Sequence, residues 1–247
     1  MERIEPGELL GAVAIGFLAL AFVSATASRT RDYASERGIW EDTIEKRPQN
    51  AVAHNNLGAV LVGAGRYVEA IGHYEAALRL KPDYPQAREN LAVAHNNYGI
   101  ALARAGRYAE AAEHYRHAAT LRPGFAEVPY NEGLMFLLQG RPEAAVARLE
   151  EALRLRPDYA DAATNLGNAL ELAGRLPDAI AAFERAVELS PGTADAHFNL
   201  ANALFGAGRR QEAIGQYDEA VRLKPDFAAA RRNRELAREG PPRVVSP

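Results

Sequence analysis

The chain has 247 residues, 48% hydrophobic and 25% charged, with a formal net charge of -3. That balance is ordinary for a folded chain and supplies no basic field, so no nucleic-acid partner is expected. The absence of cysteine excludes disulfides, a thiolate nucleophile and cysteine-ligated metal sites.

Residues 1–8 are polar and on balance acidic, and residues 9–28 carry no charge. As a helix, the apolar stretch would be about 30 Å long, the thickness of a bilayer core. It is read as a transmembrane helix, which makes the chain a single-pass membrane protein. Two other readings stand beside it. One is a cleaved signal peptide ending at Ala25-Thr26-Ala27, opposed by the acidic start. The other is a buried helix, opposed by the length of the apolar run. Positive charge follows the stretch (Arg29, Arg31, Arg37, Lys46 and Arg47), which places the remainder on the cytoplasmic side.

A period governs everything downstream. Pro48, Pro82, Pro123, Pro157, Pro191 and Pro225 are spaced 34, 41, 34, 34 and 34 residues apart, and Gly65, Gly106, Gly140, Gly174 and Gly208 repeat the last four spacings. A fixed period of this size marks stacked units that each touch only their neighbours.

Residues 33–50 read as the second half of such a unit. Tyr33 and Trp40 stand where Tyr67 and Tyr74 stand in the next one. Their spacing puts both rings on one helix face, so Trp40 is expected as a core anchor closing the end of the array.

Full units are read at 51–84, 92–125, 126–159, 160–193 and 194–227. In 160–193 a first helix carries Ala163, Leu166, Gly167 and Leu170 as one apolar stripe. Gly174 ends it, because a tight reversal needs a residue that tolerates positive φ. A second helix buries Ala179, Phe183, Ala186 and Val187, and Ser190-Pro191 stops it. Between the first two units lie seven extra residues, 85–91. Ala87, Leu91, Ala94, Tyr98 and Leu102 run through them as one stripe, predicting a single long helix over 86–103. The segment 82–91 resembles 225–236, and so suggests a seam after the first unit. Residues 228–239 form a charged capping helix, and 240–247 a disordered tail.

These units resemble the tetratricopeptide repeat, over residues 33–239. The resemblance implies an all-α fold: a right-handed superhelix of antiparallel helix pairs, here with the amino-terminal transmembrane helix before it and the capping helix after it. Departures are few. Glu132 stands where other units have Leu or Tyr, Ala201 replaces a glycine, and Pro142 opens a second helix.

One column carries Asn in all five units: Asn56, Asn97, Asn131, Asn165 and Asn199. Asn is a poor helix former, so five interior copies oppose propensity. In the resembling family this position faces the concave groove, and a similar ladder lines the repeat region of O-GlcNAc transferases. A carboxamide both donates and accepts, so it can pair with the backbone of an extended peptide. The other role is structural, a bond to the neighbouring helix. Asn168 and Asn202 share the face, with Asp161, Glu127, Asp195 and Glu171 against Arg104. Some family members clamp acidic carboxy-terminal tails with basic groove residues. Here Asn55, Tyr130, Thr164 and Phe198 fill one clamp column and Val52, Val93, Glu127, Asp161 and Asp195 another, so no such clamp is expected.

No catalytic residues, cofactor or metal site emerge, and the chain is read as a non-enzyme. His114 and His117 lie one turn apart, but no carboxylate completes a metal site. The run 29–58 is similar to the span-to-repeat junction of O-mannosyltransferase-like membrane proteins, which would put the array outside the cytoplasm and leave the membrane side open. Two functions follow: a membrane-anchored scaffold holding a protein or peptide ligand in its groove, or an accessory part or fragment of a membrane glycosyltransferase that presents protein acceptors.

Overall fold

A computed structural model of the chain describes residues 36–239. Among these residues there are twelve α-helices and no strand. They are α1 (36–46), α2 (Ala51–Gly63), α3 (Tyr67–Leu80), α4 (Pro85–Arg104), α5 (Tyr108–Leu121), α6 (Glu127–Leu138), α7 (Pro142–Leu155), α8 (Ala160–Leu172), α9 (Leu176–Leu189), α10 (Ala194–Gly206), α11 (Arg210–Leu223) and α12 (Ala228–Glu239). The long helix read across 86–103 is α4.

The helices pair because their connections are too short to do otherwise. After α8 the chain reverses through Gly174, at φ 75°. Gly174 N–H donates to Glu171 O at 3.0 Å and Arg175 N–H to Leu170 O at 2.8 Å. This satisfies carbonyls that the helix end leaves open. Gly65, Gly106, Gly140 and Gly208 also have positive φ, so the repeating glycine is a repeating reversal. Each reversal is followed by a helix of 14 residues. Exposed ion pairs mark four of the starts, Arg66–Glu69, Arg107–Glu110, Arg175–Asp178 and Arg209–Glu212. Such pairs contribute little, about 0–1 kcal/mol.

Small residues set the spacing within a pair. Ala70, Ala111, Ala145, Ala179 and Ala213 are completely buried. Beside them Tyr74, Tyr115, Leu149, Phe183 and Tyr217 fill the interior, each such side chain contributing about 1.5–3 kcal/mol on burial. Glu132, the departure noted above, is met by Arg148 at 3.7 Å. Burial still holds the Glu132 carboxyl above its usual range, with Arg148 opposing.

The chain divides into two compact units, the second beginning at Gly99. In the first, Leu57, Leu61, Tyr74, Ala87 and Leu91 form the buried interior. Asn90 Nδ2 donates to the buried Asn55 Oδ1 at 3.0 Å. In the second, one hydrophobic core runs from Ala145 to Ala237. There α12 packs on α11: Ala230 and Ala237 are buried, while Arg234 and Arg238 pair with Asp218 at 3.0 and 3.1 Å. Asn233 Nδ2 reaches Asn202 Oδ1 at 3.0 Å. Asn90 and Asn233 hold matching places in the two similar segments, and each ties its helix to the first helix of the preceding pair.

Two expectations are corrected. Among the described residues no helix is long and apolar enough to cross a membrane. Helix α4 has 20 residues, but Arg88, Glu89, His95, Asn96 and Asn97 lie along it. The single-pass membrane placement, with either side for the repeats, is therefore withdrawn. The stretch 9–28 that prompted it lies outside the described residues, as do Tyr33 and 240–247. Trp40 is half-exposed rather than a core anchor, and it lines a surface cavity with Glu36 and Asn56.

Candidate functional site

Within the second unit, α6, α8 and α10 are the first helices of three successive pairs, and neighbours among them touch. Their shared helical positions carry most of the residues singled out above. Asn131, Asn165, Asn168, Asn199 and Asn202 are half-buried, because neighbouring residues of the same helices are in the core.

Beside α6 an open cavity of ≈ 310 Å³ is lined by Ile100, Ala103, Arg104, Tyr115, Tyr130, Asn131, Leu134, Met135 and Leu138. Asn131 thus sits at the edge of an apolar depression. Leu138, one of the lining residues, is 62% exposed. Burial raises the Tyr115 phenol, with Arg104 opposing.

Asn165 stands one unit further on. Its Nδ2 donates to Tyr130 Oη at 3.2 Å and to Asp161 O at 2.9 Å. Both amide hydrogens are therefore engaged, and its Oδ1 is left to accept. The Tyr130 ring stacks on Tyr159, centroids 4.8 Å apart, and burial raises its phenol, helped by Asp161. The Arg156 guanidinium lies over the Tyr159 ring at 4.6 Å and forms an ion pair with Glu127. Glu127 is thereby neutralised, with its Oε2 buried and lacking a hydrogen bond. Asp161 and Asp195 are exposed and form no ion pair among the described residues.

The remaining positions divide. Asn199 and Asn168 are half-buried on α10 and α8. Asn202 Oδ1 accepts from Tyr217 Oη at 2.7 Å as well as from Asn233, so this acceptor is committed to seating α12. Phe198 stacks on Phe227 at 4.8 Å, which makes that clamp-column position part of the packing. In the first unit Asn56 accepts from Asn55 Nδ2 at 3.1 Å and borders the cavity of ≈ 410 Å³ that Trp40 lines. Asn97 accepts from Asn96 Nδ2 at 3.5 Å.

Sequence reasoning missed a second repeating device in the loops. A basic side chain lies over the aromatic ring three residues later at Lys81–Tyr84, Arg122–Phe125, Arg156–Tyr159 and Lys224–Phe227, at 4.6–4.9 Å. The signal is in the residue before each proline. Ser190 and Thr193 break the pattern, so the loop after α9 carries neither cation nor ring. Among the described residues, no group of three or more His, Asp or Glu side chains could hold a metal ion.

Comparison with known proteins agrees with this architecture. Tetratricopeptide repeat models match residues 49–123 and, in overlapping stretches, 130–194, 175–226 and 198–234. YrrB, a tetratricopeptide repeat protein with an unusual peptide-binding site, is 22% identical with a TM-score of 0.58; the match covers 80% of this chain and 98% of that one. MamA is 25% identical with a TM-score of 0.55, over 70% of this chain and 97% of that one. No curated protein matches the sequence. Neither these structures nor the family matches carry the resemblance to O-mannosyltransferase-like proteins or O-GlcNAc transferases. The matched stretches together exceed half of the chain, and the chain belongs to the tetratricopeptide repeat family.

Proposed function

We propose that this chain is a non-enzymatic scaffold that mediates protein–protein interaction by holding an extended peptide or partner helix against the first helices of its repeats. On this reading the units 126–159, 160–193 and 194–227 present the ligand. The observation that carries it is Asn165. Its amide hydrogens are engaged by Tyr130 Oη and Asp161 O, which leaves Oδ1 as a fixed acceptor. It stands one repeat from Asn131 and the apolar cavity. A fixed acceptor beside an apolar depression suits a peptide backbone with one side chain buried next to it. YrrB, with the same fold, is a peptide-binding member.

The test is selection of a random nonapeptide library on the full 247-residue chain. Affinities of the selected peptides are then measured by fluorescence anisotropy. Asn131→Ala together with Asn165→Ala is expected to weaken them about tenfold, the equivalent of one or two hydrogen bonds. Unchanged affinity would leave the carboxamides structural.

A further inference from the structure

The ends of the α6–α8–α10 face differ in chemistry. At the α6 end the cavity wall is apolar, with Ile100, Leu134, Met135 and Leu138, and Arg104 borders it. Arg104 is exposed and forms no ion pair among the described residues. At the α8 and α10 end the exposed charges on these helices are Asp161, Glu171 and Asp195, all acidic. Glu127 holds the equivalent position on α6, but Arg156 neutralises it. The residue that would do the same for Asp161 is Ser190, which stands where Arg156 stands one unit earlier. Lys224, in the corresponding place for Asp195, lies over the Phe227 ring and forms no ion pair with Asp195. The face therefore presents Arg104 beside an apolar depression at one end and unpaired carboxylates at the other.

We propose that the ligand is a peptide with a matching charge order: an acidic residue, a large apolar residue next to it, and lysine or arginine beyond. The inference rests on the peptide-groove reading above. Adjacent helix axes lie about 8–10 Å apart, and an extended chain advances about 3.3 Å per residue. One repeat thus equals about three peptide residues. With the apolar side chain in the cavity, two basic residues about three positions apart fall over Asp161 and Asp195, which hold equivalent places in successive repeats. The acidic residue falls on the opposite side, towards Arg104. Partners with acidic tails are disfavoured on the same grounds, since they would place carboxylates against carboxylates.

The nonapeptides selected on the wild-type chain test this. They are expected to carry a large apolar residue with basic residues at that spacing. Asp161→Lys with Asp195→Lys is expected to weaken them about tenfold or more, two exposed pairs being exchanged for two repulsions. Selection repeated on that variant should return acidic residues at the same spacing. Asp161→Asn with Asp195→Asn, which keeps the side-chain shape, should give about half of the logarithmic loss. Peptides that respond to the Asn131 and Asn165 changes but show no basic preference and ignore both aspartate variants would overturn the charge order and leave the groove reading standing. Peptides that ignore the asparagine changes as well would overturn both.

Discussion

The Phe183 ring occupies the space that a side chain on Gly167 would need: a Cβ there would lie 2.5 Å from Phe183 Cε1. The same meeting occurs between Gly58 and Tyr74, Gly99 and Tyr115, and Gly133 and Leu149, at 2.6–2.8 Å. Contact this close joins the helices of a pair, and through them the stack. Gly167→Ala is expected to destabilise by about 1–3 kcal/mol, as overpacking does. Ala201 fills the matching place opposite Tyr217, so the cost is that of moving a ring, at the low end of the range. Gly72→Ala is the control: it lies in a helix interior, exposed, with nothing within 4 Å. It should stabilise by about 0.5–1 kcal/mol. Urea midpoints of the two variants should move in opposite directions.

His54 Nδ1 and His73 Nδ1 approach to 3.0 Å, and His54 Nε2 faces Pro48 O at 3.1 Å. Burial, then the neighbouring His54, hold His73 below its ordinary value of 6.5, with Glu69 and Glu41 opposing. A lowered folded pKa means that the folded state prefers neutral imidazole. Stability is unaffected well above pH 6.5 and declines as pH falls through that value, because the unfolded chain takes up the proton first. His197 makes the same arrangement with Gln216, at 2.7 Å. His73→Gln copies that solution and should flatten the loss of stability between about pH 6.5 and 5. A denaturation series across that range would show an unchanged slope if the pair were irrelevant.

Glu132 is held above its ordinary carboxyl value by burial, against the pull of Arg148. Ionising it carries a desolvation cost that Arg148, 42% exposed, offsets only in part. Glu132→Leu restores the residue type of the neighbouring units and is expected to stabilise by about 1 kcal/mol at pH 7. The sign follows from the raised pKa: wild type gains on acidification, so the advantage shrinks as pH falls towards 4.5. Arg148→Met, which leaves the carboxylate alone, should destabilise at pH 7. Thermal melts at the two pH values distinguish the cases.

Peptides ending in several acidic residues should not reach sub-micromolar affinity. Tyr130 and Phe198 occupy one clamp column and are stacked on Tyr159 and Phe227, while Asp161 and Asp195 occupy the other. A sub-micromolar affinity for such a peptide in a titration would sink this expectation.

The all-α repeat was legible because both of its determinants are local. Positive φ at Gly174 and the stop at Ser190-Pro191 depend on one or two residues each, and they recur at constant spacing. Candidate groove positions were legible for the same reason: Asn131 and Asn165 share a helical position one period apart. What each of them does was not. Asn202 has the same residue type and lies on the same kind of face, yet Tyr217 and Asn233 engage its oxygen. Nothing in the residues around 202 shows that α12 lies there.

Trp40 and Glu127 make the same point. Seven-residue spacing gave Trp40 a face, but exposure depends on what covers that face, and it borders a cavity. Glu127 was one of several acidic residues until Arg156, 29 positions away, was found beside it. Periodicity, turn chemistry and helix identity are short-range properties, so the amino-acid sequence alone determined the repeat and its reversals. Which polar groups are spent inside the protein and which are left for a partner depends on side chains brought together from different helices, and only the tertiary structure decided that.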